Sequence, residues 1–139
     1  MTGWALLEYP LRLCGWGQVR VEEFSAEALL LGLGPRDEAV VENFRLRPSK
    51  AKSLGWSDLK TSQIIGQIRA VAEAHGLPVL TQEPGDKAAV PDELLRAVGA
   101  FPSGRHARDA CRHAVLRLLR VHKAAEDPVV AELLRRYVG

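Results

Sequence analysis

This sequence predicts an α/β fold, a mixed sheet flanked by helices, organised as one domain over residues 1–139. Three observations carry that expectation. The stretch from Ala39 to Thr81 reads as strand, helix, strand at the spacing of a crossover unit, so its two strands should be parallel neighbours. Two apolar segments bounded by glycine and proline open the chain. A long, arginine-loaded helix runs from about Arg105 to His122. A chain of 139 residues with 47% hydrophobic and 26% charged content has the means to bury an ordinary globular core.

Each element has a local cause. Thr2–Leu7 is an apolar strand that starts without a polar lead-in. A second strand spans Leu11–Val21, with Pro10 and the glycines marking bends. Ser25 can cap a short helix through Leu31, which Gly32, Gly34 and Pro35 end. Ala39–Leu46 is a strand, and the Lys-, Ser- and Gly-rich stretch Arg47–Ser57 is a loop. Thr61 or Ser62 caps a helix whose Ile64, Ile65, Ile68, Val71 and Ala72 make one apolar stripe, ended by Gly76. Leu77–Thr81 is the next strand. Helices follow at Asp92–Val98, Arg105–His122 and, started by Pro128, up to Tyr137.

On the long helix, Ala107, Ala110, Cys111, Ala114, Leu118 and Val121 share one face. His106, Asp109, His113, Arg117 and Arg120 share another. Asp109 should therefore project into a patch of His and Arg, with His113 exposed one turn along.

Composition narrows the function classes. No apolar run approaches the ~20 residues that cross a bilayer. The start lacks the basic and apolar pattern of a secretory signal, so a cytoplasmic protein is expected. Cys14 and Cys111 form no CxxC pair, which argues against zinc and for reduced thiols. The net charge of +2 is small, but its distribution is uneven. Arg45, Arg47, Lys50 and Lys52 follow the Glu42 strand, while Arg105, Arg108 and Arg112 load the long helix. Arginine forks match phosphate oxygens, so a phosphodiester partner is one reading, and a solvated basic surface is the other.

Three residues are candidates for chemistry. Glu42 sits in an otherwise apolar strand on the face of Val40 and Phe44. A metal ion would offset the cost of burying its charge, as would pairing with Arg45 or Arg47. His106 and Asp109, at i and i+3, lie on adjacent turns and can reach one ion or water. Two-metal phosphodiester hydrolysis, with ions roughly 3.5–4 Å apart, ordinarily uses three or four such ligands. Glu42, His106 and Asp109 are then one acid short.

The segments TGWALLE (2–8), VVENFRLRPSKAK (40–52), QEPGDKAAV (82–90) and HARDACRHAVLRLL (106–119), in this order, resemble the RuvC-like Holliday junction resolvases of phages and prophages, within the ribonuclease H-like superfamily. The resemblance spans almost the whole chain. It implies that Glu42, His106 and Asp109 are catalytic metal ligands for Mg²⁺ or Mn²⁺, and that Lys50, Lys52 and Lys87 lie near DNA. It also implies a central first strand carrying an Asp-Pro-Gly phrase. That strand is absent from this sequence, and the expectation is that the native start lies upstream of Met1.

The leading expectation is a metal-dependent, structure-selective endonuclease that cuts branched DNA such as a four-way junction in recombination. It would act as a homodimer, whose twofold symmetry suits two equivalent cuts, in a bacterial or phage-infected cell. Trp16, Trp56 and Phe101 are candidates for base stacking, although residues of this kind are more often simply core. A catalytically inactive branched-DNA-binding module of the same fold is the second reading. An α/β interaction protein that dimerises through its Leu-rich last helix is the third.

Overall fold

The computed structural model describes residues 1–43, 56–120 and 126–137, and the chain is α/β as its sequence predicts. It forms two compact units, one made of Met1–Val19 with Gly85–Gly139 and the other of Arg20–Pro84. No helix among the described residues is long and apolar enough to cross a membrane.

In the first unit, strand β1 (Thr2–Glu8) pairs antiparallel with β2 (Arg12–Val19), from Thr2 opposite Val19 to Glu8 opposite Arg12, with a register shift between Leu6 and Leu7. The Trp4 ring lies across Gly15 and Gly17. A Cβ on Gly17 would stand 2.5 Å from the indole nitrogen, so a large ring here requires small residues on the facing strand. The unit continues with α3 (Asp92–Ala97), α4 (Arg105–Arg120) and α5 (Pro128–Tyr137). Its core is Val90, Leu94, Leu95, Ala100, Cys111, Val115 and Leu116. Ala5, Leu7, Leu11 and Leu13 of the hairpin and Leu133 and Leu134 of α5 pack against it.

The second unit holds α1 (Ala26–Leu29), β3 (Ala39–Glu42), α2 (Trp56–Ala74) and β4 (Val79–Gln82). Ser25 caps α1 as its position predicts, the hydroxyl accepting from the Ala28 N–H at 3.2 Å. Gly32 and Gly76, at φ 83° and 66°, stand beyond the ends of α1 and α2, where a left-handed backbone favours glycine. β3 and β4 are parallel, in register from Ala39 opposite Val79 to Glu42 opposite Gln82, the pairing expected of the crossover unit. Leu30, Ala72 and Leu77 form the core, with Ile68 and Val71 of the predicted stripe packed on it.

Several boundaries differ from expectation. α2 begins at Trp56, so Thr61 and Ser62 lie inside the helix rather than at its cap. Nothing between Gly55 and Thr61 breaks a helix, and a capping residue type inside a continuous run does not start one. α1 stops at Leu29, and β2 stops at Val19. β3 is described to Glu42, and the predicted continuation through Leu46 lies outside the described residues. The described strands form two separate two-stranded sheets, one antiparallel and one parallel.

α4 also departs from its helical wheel. Ala107, Cys111, Val115 and Leu116 are buried, and so is His113, at 4% exposure. His113 follows Cys111 by two residues, roughly 200° around the helix, so α4 is covered on opposite sides. The expectation of an exposed His113 is corrected. A wheel assumes one buried face, and this helix has two.

Candidate functional site

The site-bearing helix is positioned from far away in sequence. α4 follows Gly104, which has no side chain to cap it. The cap comes from β2: Gln18 Oε1 accepts from the His106 N–H at 2.8 Å and from the Ala107 N–H at 3.2 Å, satisfying two donors that a helix start leaves open. The fit is tight. A Cβ on Gly104 would lie 2.4 Å from Gln18 Oε1, and one on Gly3 would lie 2.1 Å from the His106 carbonyl carbon. Glycine at both places lets the hairpin backbone seat directly on the first turn of α4.

His106 is exposed on that turn, and Asp109 follows one turn later at 29% side-chain exposure. The Asp109 carboxylate lies between two cations. Arg112 Nη1 donates to Oδ1 at 2.9 Å, and Lys87 Nζ stands 3.5 Å from Oδ2. Arg112 is itself held three ways, since its Nη2 pairs with Asp92 and its Nε donates to the Val90 carbonyl at 3.2 Å. With 15% of its side chain exposed, Arg112 has its basicity lowered by desolvation, and the two carboxylates support the charge that burial penalises. The network Asp92–Arg112–Asp109–Lys87 joins α3, α4 and the 3₁₀ segment Pro84–Ala89.

Its geometry leaves the two oxygens of Asp109 unequal. Oδ1 takes a short, well-formed hydrogen bond from a guanidinium anchored on three sides. Among the described residues, Oδ2 meets only the distal end of a long lysine side chain at the limit of hydrogen-bond length. Oδ2 is thus the oxygen that another cation, or a lysine released to a phosphate, would affect first.

Glu42 belongs to the other unit, half-buried at the carboxyl end of β3. Around it, the Asn43 N–H donates to the Gln82 carbonyl at 2.7 Å, and Asn43 Nδ2 donates to Glu83 Oε1 at 3.1 Å. The carboxyl ends of parallel strands are where open α/β sheets place their ligands. Reasoning from sequence did not single out Asn43 or Glu83. Only the register of β3 on β4 shows that they meet.

Among the remaining predicted site residues, Arg105 is exposed on the first turn of α4. Arg108 donates from Nη1 to the carbonyls of Pro102 (3.4 Å) and Ser103 (3.2 Å), with its guanidinium 4.9 Å from the Phe101 ring centre. Arg45, Arg47, Lys50 and Lys52 lie outside the described residues, as does the side chain of Trp56. Trp16 is 41% exposed on β2. Among the described residues no group of three or more His, Cys, Asp or Glu is arranged to hold a metal ion. Comparison with protein-family models, curated proteins and solved structures finds no match, so the reading of this site rests on its own residues and their surroundings.

Proposed function

We propose that this chain is a metal-dependent endonuclease of ribonuclease H-like, RuvC-like type that cuts four-way or otherwise branched DNA by phosphodiester hydrolysis. The observation that carries the reading is Asp109. A partly exposed helical carboxylate, one turn from an exposed histidine, is fixed by Arg112 on one oxygen and only loosely met by Lys87 on the other. An anchored carboxylate whose second oxygen is held only by a long lysine contact suits a hard divalent cation that displaces the lysine. Mg²⁺ is commonly held by one or two carboxylates together with waters and substrate phosphates.

Asp109 would supply a carboxylate and His106 a further ligand or a proton carrier, with waters and substrate phosphates completing the shell. Bound there, the ion would activate water and steady the leaving oxygen. Lys87 would move from Asp109 to a backbone phosphate, and Arg105 and Arg108 would meet neighbouring phosphates. Lys50, Lys52, Arg45 and Arg47 would contact DNA as well. A twofold dimer would present two such sites to a junction.

The second reading, an inactive branched-DNA-binding module in a bacterial or phage setting, is favoured by the same network seen differently. Asp109 is already compensated by two cations, so it is stable without a metal.

The test is cutting of an end-labelled four-way junction in Mg²⁺ by this chain, by Asp109→Asn, and by a form extended upstream of Met1. A nuclease loses cutting by about 10²–10³-fold or more in Asp109→Asn while junction affinity holds. Salt-sensitive binding that ignores chelator, with no cutting by any form, establishes the inactive module. Absence of salt-sensitive binding removes both readings and leaves the interaction protein.

A further inference from the structure

We propose that Arg96 and Arg108, resting on the ring of Phe101, form a binding site for the phosphodiester backbone of DNA. This rests on the reading of the chain as a DNA-binding protein and is independent of whether it cuts.

Positive charge is already concentrated here in the sequence. Residues 94–108 contain Arg96, Arg105, His106 and Arg108 and no carboxylate. The fold then gathers these charges. Arg96 comes from the last turn of α3, Arg108 from α4, and Phe101 from the connection between them. The two guanidinium carbons stand 4.3 and 4.9 Å from one ring centre, which keeps the two charges within about 10 Å of each other.

The surroundings of these two differ from those of other arginines in the same unit. Arg112 lies between Asp92 and Asp109, Arg12 pairs with Glu8 at 3.6 Å, and Arg135 pairs with Glu132 at 2.7 Å. Arg96 and Arg108 have no carboxylate partner among the described residues. The π-face attracts both cations without neutralising either, and their mutual repulsion persists until an anion arrives.

The donors are also prepared. Arg108 uses Nη1 on the Pro102 and Ser103 carbonyls, which fixes the guanidinium plane and leaves Nε and Nη2 without an acceptor among the described residues. Arg96 is exposed, and its guanidinium makes no hydrogen bond among them. Planar forks held against a ring lose less freedom on binding than free side chains do, and forks of this kind match phosphate oxygens two at a time. Arg105, one turn before Arg108 and also exposed, would extend the row.

The proposal is tested with the whole chain and a fluorescent four-way junction, reading anisotropy across a salt series. Each phosphate contact contributes about 0.9 to the slope of log affinity against log salt, so Arg96→Gln/Arg108→Gln should flatten that slope by about two. Arg96→Lys/Arg108→Lys should restore the slope while binding more weakly than wild type, because lysine keeps the charge and loses the fork. Phe101→Leu should weaken binding a few-fold at every salt concentration with the slope intact.

Arg96→Gln alone, at an exposed position, should lower the slope by about one, and it decides the matter if the double variant does not fold. Wild-type binding with an unchanged slope in the Gln variants overturns this site and leaves the DNA reading standing. No salt-sensitive binding by the wild type overturns both.

Discussion

Arg112 shows how one side chain can hold a candidate site together. It reaches a core carbonyl at Val90 and two carboxylates from different helices, so removing it leaves Asp92 and Asp109 as neighbouring negative charges with one fewer cation. Asp92 keeps 44% of its side chain in water and Asp109 29%, which places the cost below that of breaking a fully buried pair. Arg112→Leu should lower stability by about 1–3 kcal/mol, read as a shift in urea midpoint. Arg112→Lys should recover only part of it, because one ammonium cannot serve three acceptors in a plane. A midpoint unchanged in both would mean that the network contributes nothing to folding.

At the scale of the element, α4 is set by its contact with the hairpin. Gln18 replaces the local capping residue that Gly104 cannot provide, and Gly3 allows the backbone approach. Gln18→Leu should cost about 0.5–2 kcal/mol, the range of a lost helix cap, and lower the melting temperature accordingly. Gln18→Glu keeps the acceptor oxygen and adds a negative charge near a helix start, so it should match the wild type or exceed it. Equal losses in the two variants would show that packing rather than capping sets the position of His106 and Asp109. His106 lies on the capped turn and Asp109 on the next, so the hairpin governs the placement of both.

For the molecule as a whole, the buried thiol links stability to alkaline pH. Cys111 is fully enclosed, and desolvation pushes its pKa up from 9.0 to about 11. An unfolded chain would release that proton first, from about pH 9, while the folded chain retains it. The unfolded state thus binds fewer protons between about pH 9 and 11, and stability falls through that window. Below that window both states are protonated and the contribution is complete. The full effect is on the order of 2–3 kcal/mol. Cys111→Ala should show a smaller decline in urea midpoint across the window than the wild type, over and above its own constant cavity cost. Parallel declines would dismiss the thiol as the cause. Cys14, exposed on β2, should react with a thiol reagent in the native protein while Cys111 should not.

The parts that the sequence alone determined are those with local causes. Ser25 as a cap, glycine beyond the ends of α1 and α2, Pro128 opening α5, and parallel β3 and β4 all follow from residues within a few turns or one crossover. The i, i+3 placement of His106 and Asp109 on one helix was legible for the same reason. Tertiary structure alone decided what those residues meet. Lys87 reaches Asp109 across 22 positions and Gln18 caps α4 across 88, and no periodicity encodes either contact. His113 looked exposed because a wheel predicts one covered face. Arg112 looked like a surface cation because its acceptors, Asp92 and the Val90 carbonyl, lie outside α4. Sequence pattern records how a chain folds against itself nearby. Which charges are neutralised, and which of them stay available to a ligand, depends on elements that meet only once the chain has folded.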